Sequence, residues 1–217
     1  MPLDDVTQPG ELGDPRELTE PRAMRAMTHP VRLALIEALG LEGLLTATGA
    51  AEVIGESPTT CSFHFRQLAK YGFVEQASTG PGRMRSWRLT AVGMHFSDVE
   101  GDTEARAAAR ALSRTLRERS LARLQAYYET RAGYPKRWQE VTGHSDFMLH
   151  VTPEELRAVD EEITAILQRF RERIGRRELR PAGSLPVEVL LFAYPVRSPV
   201  QPALSPARTW SAGIVGP

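Results

Sequence analysis

Between Ser57 and Gly72 the apolar positions follow a helical rhythm: Cys61, Phe65 and Leu68 stand at i, i+4 and i+7. At about 100° per residue, Thr59, Ser62, Phe63, Arg66, Gln67 and Lys70 point the other way. Both ends are marked. Ser57 suits an N-cap, Pro58 suits the first helical position, and Gly72 can take the left-handed conformation that closes a helix. Upstream, a helical pattern starts near Leu18–Arg22 with Met24 and Met27 on one side, and Thr28-His29-Pro30 interrupts it. A second helix, 30–39, carries Val31, Leu35, Ile36 and Leu39 and is expected to stop at Gly40. Leu44-Leu45 reads as a very short strand. A third helix, capped by Thr46 or Thr48, runs to Ile54 with Ala50 and Ala51 inside. Two short helices joined at Gly55-Glu56 make a helix-turn-helix pattern. Phe73–Ala77 and Arg83–Leu89 then alternate as strands around the turn residues 78–82, which predicts a wing at 78–86.

The outward face of the 57–71 helix changes the picture from structure to chemistry. Hydroxyl, amide, guanidinium and ammonium groups are what a major-groove reader uses. Arginine reads guanine edges, glutamine reads adenine, and Ser or Thr meets phosphate or the thymine methyl. An ordinary surface helix would show the same alternation, so the neighbourhood decides. The net charge is zero, but residues 57–90 carry Arg66, Lys70, Arg83, Arg85 and Arg88 against Glu75 alone. Residues 1–20 are acidic. A local basic face in a neutral chain points to nucleic acid. Arg83 and Arg85 beside a Gly-Pro-Gly tip suit a phosphate or the adjacent minor groove. The DNA-contact candidates are therefore Ser57, Thr59, Thr60, Ser62, Phe63, His64, Arg66, Gln67, Lys70, Arg83 and Arg85. His64 flanks both faces and could meet a phosphate or cap a neighbour.

Residues about 20–92 resemble the ArsR-type winged helix-turn-helix of bacterial transcriptional regulators. The matching pieces are 22–32 (Arg22-Ala23-Met24 through Pro30-Val31-Arg32), Gly55–Thr60, Ser62–Leu68, Gly72–Glu75 and Gly82–Thr90, in that order. The resemblance implies a homodimer on pseudo-palindromic double-stranded DNA that acts as a repressor. Metal-sensing members of that family use a cysteine pair near the recognition helix, or His and acidic ligands on a C-terminal helix. Here Cys61 is the one cysteine and no such cluster occurs, so no metal and no cofactor are expected.

Beyond the wing, 103–131 is a long helical pattern. Ala105, Ala109, Leu112 and Leu116 share one face; Leu121, Leu124 and Tyr128 share another. Two apolar faces require two surfaces, the chain's own core and a partner subunit. Thr152-Pro153-Glu154-Glu155 opens a further helix with a capping box, and its stripe runs Leu156, Val159, Ile163, Ile166/Leu167, Phe170 and Ile174. Phe147–Val151 and Val187–Tyr194 read as strands on either side, which predicts a small β-α-β piece with a sheet under the helix. Tyr127, Tyr128, Trp138, Phe147 and Phe192 could line an effector pocket or fill the core of this region.

The expected class is mainly α with small β (α+β). The expected divisions are a disordered acidic arm at 1–18, a winged helix-turn-helix at 19–98, a dimerisation and effector region at 99–195, and a Pro-rich tail at 196–217. A lone cysteine fits a reducing compartment, and the acidic N-terminus lacks a signal-peptide pattern, so a cytoplasmic location without membrane association is expected. No nucleophile elbow, phosphate-binding loop or zinc-protease motif appears, and catalysis is not expected. The function expected is that of a dimeric, sequence-specific DNA-binding repressor. The alternatives are a protein-interaction module and a small-molecule sensor with its pocket in 120–194.

Overall fold

Pro21, Pro30, Pro58 and Pro153 each sit in the first turn of a helix, where a missing N–H costs nothing. The computed structural model describes residues 12–77, 85–91 and 93–197. In chain order the helices are α1 (Pro21–Met27), α2 (Pro30–Glu42), α3 (Ala47–Ile54), α4 (Pro58–Lys70), α5 (Thr103–Thr130), α6 (Lys136–Val141), α7 (Pro153–Gln168) and α8 (Glu172–Gly175). The strands are β1 (Arg16–Glu17), β2 (Leu45–Thr46), β3 (Val74–Ala77), β4 (Ser86–Leu89) and β5 (Met94–His95). The arrangement is α+β with small sheets. The chain divides into two units, Met1–Pro186 and Val187–Pro217.

In the first unit β2, β4 and β3 form one antiparallel sheet in that order, with Leu45 and Gln76 both opposite Trp87. Trp87 stacks on Phe65 of α4, ring centroids 5.3 Å apart, which ties the sheet to the helix. Around that pair lie Met24, Met27, Leu35, Leu39, Ala50, Cys61, Leu68, Val74, Ala109 and Leu112, all buried. The core thus joins α1 to α4, the sheet and the first half of α5. A bidentate ion pair braces it from outside: Arg119 of α5 donates to both carboxylate oxygens of Glu37 on α2 at 2.6 Å, and Arg123 reaches the same carboxylate.

Several expectations are corrected. Gly40 does not end α2. The helix continues to Glu42 and closes at Gly43, whose φ is +82° and whose missing Cβ leaves room for the Gly175 carbonyl. A glycine inside a helix costs only about 1 kcal/mol, so Gly40 permits continuation to Gly43, whose N–H donates to the Leu39 carbonyl at 2.7 Å. Residues 12–18 are not a free arm. Arg16 N–H donates to Gly93 O at 3.1 Å and Leu18 N–H to His95 O at 2.8 Å, pairing β1 with β5, and Leu18 is buried. A single inserted side chain leaves no periodic signal, so the pairing was invisible in the pattern. Residues 1–11 lie outside the described ones.

The β-α-β piece is not formed. Residues 147–151 and 187–194 run without ladder partners, and Phe147 is 78% exposed. Alternating apolar residues make a strand only where another edge supplies N–H and C=O groups. The helix expected to reach 174 stops at Gln168 and resumes briefly as α8. Its capping box is present, yet no residue of α7 is buried. In the second unit, residues 187–197 carry no helix or strand and, apart from half-buried Leu190, are exposed, Phe192 and Tyr194 included. The tail from 198, with Trp210, lies outside the described residues. No helix of the described residues is long and apolar enough to cross a membrane.

Candidate nucleic-acid interface

α4 is held rigidly at both ends and along one side. Ser57 Oγ accepts the Thr60 N–H at 3.0 Å and bonds the Thr60 hydroxyl at 2.8 Å. Gly72, with φ +70°, closes the far end, and a Cβ there would lie 2.6 Å from the Arg16 guanidinium. Cys61, Phe65 and Leu68 are wholly buried, as the i, i+4, i+7 pattern required. The preceding α3 is capped by Thr46, whose Oγ1 accepts the Gly49 N–H at 3.0 Å, and turns into α4 at Gly55 (φ +73°).

The opposite side of α4 faces solvent. Thr59, Phe63, Arg66 and Lys70 are exposed; Thr60, Ser62 and Gln67 are half-buried. Ser57 is exposed, but its hydroxyl is committed to capping, so its part in any contact is to fix the helix start. Arg66 Nε donates to the Ser62 carbonyl at 3.2 Å, which orients the guanidinium and leaves its terminal nitrogens unbonded among the described residues. Those N–H groups can address a base edge. Lys70 Nζ lies 5.8 Å from the Tyr71 ring centre, near the helix end.

Arg85 is exposed at the root of β4. A shallow recess of about 180 Å³ joins it to α4, lined by Ala47, Ser62, Arg66, Gln76, Arg85 and Trp87. Two guanidinium groups, one from the helix and one from the wing, therefore border one concavity. Ala47 and Gln76 were not candidates from the sequence. Nothing marks Ala47, whereas the outward register of Gln76 opposite Trp87 could have flagged it. Arg88, the other wing arginine, is engaged with Glu75 at 2.7 Å. Arg83 and the wing tip lie outside the described residues.

His64 does not face outward. It is 8% exposed, its ring centre is 4.5 Å from that of His29, and Nδ1 of both rings is buried without a partner. With its ring largely buried, His64 does not stand with the outward-facing candidates, and its place among them is corrected. Position 64 belongs to the inner side because the loop before α2 folds over that turn of α4. Burial lowers the pKa of both imidazoles from 6.5. Arg32 lowers both further, His29 also lowers His64, and Glu56 opposes the shift. Burial pushes the Cys61 thiol up, with Glu56 adding to it, so this sulfur stays a protonated core group.

Of the aromatic candidates, Tyr127 and Tyr128 lie together, while Phe147 and Phe192 each face solvent. Tyr127 lies 5.5 Å from Tyr128 and 5.6 Å from Tyr134 between ring centres, and its hydroxyl meets that of Thr142. Trp138 is half-buried. Phe147 and Phe192 are 78% and 55% exposed, so neither lines an enclosed cavity. Among the described residues, no group of three His, Cys, Asp or Glu could hold a metal ion.

A family model described as a helix-turn-helix domain matches residues 27–77, the stretch from the end of α1 through β3. No curated protein matches the chain. The matched residues contain α3, the Gly55 turn and α4 whole, so the geometry and the comparison locate the same unit. The chain carries a helix-turn-helix domain of the kind found in DNA-binding regulators.

Proposed function

We propose that this protein is a dimeric, sequence-specific transcriptional regulator of the ArsR type that represses by occupying its operator. The observation that carries the reading is α4. One side is locked into the core by Cys61, Phe65 and Leu68, while Arg66 stands exposed beside Arg85 of the wing. In this reading α4 enters the major groove, with Arg66 and Gln67 on base edges and Thr59, Ser62 and Lys70 on or near phosphates. Arg85, and Arg83 with it, holds the flanking backbone. α5 carries the second subunit, since Leu121 and Tyr128 stay exposed on it.

Selection of bound sites from random DNA tests the whole reading. The expected result is one enriched half-site, repeated with two-fold symmetry. Sequences with no enrichment would sink it. In a salt titration on the selected site, Arg85→Ala should reduce the slope of log K against log salt by about one. An unchanged slope would remove Arg85 from the contacts.

The exposed apolar residues of 147–196 favour a second reading, a winged helix serving as a protein-interaction module. Binding that is weak, salt-insensitive and indifferent to sequence would support it. Ligand sensing rests on the Tyr127, Tyr128 and Tyr134 cluster. Thermal shift across a metabolite panel tests that role.

A further inference from the structure

Thr59, Phe63, Arg66 and Lys70 are the exposed residues of α4. At about 100° per residue they share roughly 60° of the helix circumference and form its outer crest. Three of them are polar, and α4 contains no acidic residue. The fourth is a phenyl ring in the middle of the crest. Phe63 is 50% exposed, whereas the other large apolar residues of the helix, Phe65 and Leu68, are wholly buried. It has neither a donor nor an acceptor for a base edge or a phosphate.

A single exposed apolar residue is ordinary on a protein surface. Two observations set this one apart. The first is its place. Phe63 precedes Arg66 by three residues, about 4.5 Å of helix, close to the 3.4 Å between successive base pairs. With Arg66 at one base pair, Phe63 stands at the next. The second is that the ring is held. It packs edge-on against His64, with centroids 5.1 Å apart and planes at 76°, and His64 is itself buried with its ring centre 4.5 Å from that of His29. A side chain already restrained in the folded protein loses less freedom when a partner covers it.

The major groove offers one surface that suits such a ring. Guanine, adenine and cytosine present hydrogen-bonding atoms there, and thymine adds an apolar group, its C5-methyl. A phenyl pressed on a ring nitrogen or an exocyclic oxygen would strip water from a polar atom and give no hydrogen bond in return. Against the methyl it takes apolar surface out of water on both sides. We infer that Phe63 is a specificity-determining residue that reads the C5-methyl of a thymine, at the base pair next to the one Arg66 meets. The inference rests on the DNA-binding reading above and adds a base to it.

Gel-shift titration of the full chain on the selected half-site tests it, with each thymine in turn replaced by uracil. That replacement removes the methyl and leaves the hydrogen-bonding edge unchanged. For the wild-type chain one replacement should weaken binding about fourfold, the worth of one buried methyl group. Phe63→Ala should bind the thymine and uracil forms of that site equally. Phe63→Leu, which keeps an apolar end and guards against a disturbed His64, should retain most of the difference. If Phe63→Ala keeps the full difference, another group meets the methyl and the inference falls. It also falls if the sensitive thymine is not adjacent to the base pair at which Arg66→Ala relaxes the preference. A half-site selected without a fixed thymine, or bound tightly yet indifferent to every uracil, would overturn it and leave the DNA-binding reading intact. A chain that selects no sequence at all would overturn both.

Discussion

Arg66 and His64 are two residues apart on α4 and lie on opposite sides of it, one exposed and one buried, after a rotation of about 200° around the helix axis. Arg66 is exposed, and in the proposed reading its terminal nitrogens meet a base. Arg66→Ala should weaken binding to the selected site by about 1–3 kcal/mol and relax the preference at one base pair, read by gel-shift titration against a panel of single-base variants. His64 is shut against His29, and its consequence is for stability. Both imidazoles have folded-state values below 6.5, so the unfolded chain takes up protons first as the solution is acidified. Their contribution is complete above about pH 6.5 and is lost as the pH falls toward the folded values. The thermal midpoint should drop between pH 7.5 and 5.5, and His64→Leu should flatten that drop. An equal slope in the variant would mean that other groups carry it.

At the scale of elements, the Glu37 carboxylate is the joint between α2 and α5. Burial alone would raise its pKa, but the hydrogen bonds from Arg119 and Arg123 outweigh burial and hold it below 4.5. The sign is that of an acid with a depressed value. Its stabilisation is present above pH 4.5 and disappears as the carboxylate protonates below that. The side chain is one-third exposed, so screening limits the effect. Glu37→Gln should cost about 1 kcal/mol in chemical denaturation at neutral pH, with the difference from wild type vanishing in acid. The starts of α1 to α5 and of α7 were legible beforehand, whereas α6 was not. Ser57, Pro58, the 61–65–68 stripe and the Thr152–Glu155 capping box each specify local geometry through bonds within one turn. Gly40 misled because a glycine permits a helix end without requiring one. Gly43 is the end that the fold favours, because positive φ strains any other residue there and a Cβ would crowd the Gly175 carbonyl at 3.2 Å.

At the scale of the whole molecule, two recognition helices related by a dimer axis would read half-sites one DNA turn apart, about 10–10.5 base pairs centre to centre. Inserting five base pairs between the selected half-sites should reduce affinity to that of a single half-site, measured in the same titration. Unchanged affinity would argue for independent monomers.

Sequence alone determined the helix-turn-helix core, since caps, glycine turns and apolar spacing act between residues a few positions apart. It also put the cationic side of α4 in view. Only the tertiary structure decided that His64 turns inward, that Arg85 joins Arg66 at one recess, and that Leu18 is stitched into the core by β1. Each of these depends on which distant segment lies alongside, as His29, the wing root and β5 do here. The two would-be strands near the C-terminus show the same limit. Their composition suits a sheet, but a lone strand has nowhere to direct its backbone hydrogen bonds, and a pairing edge is a property of the fold and not of the segment.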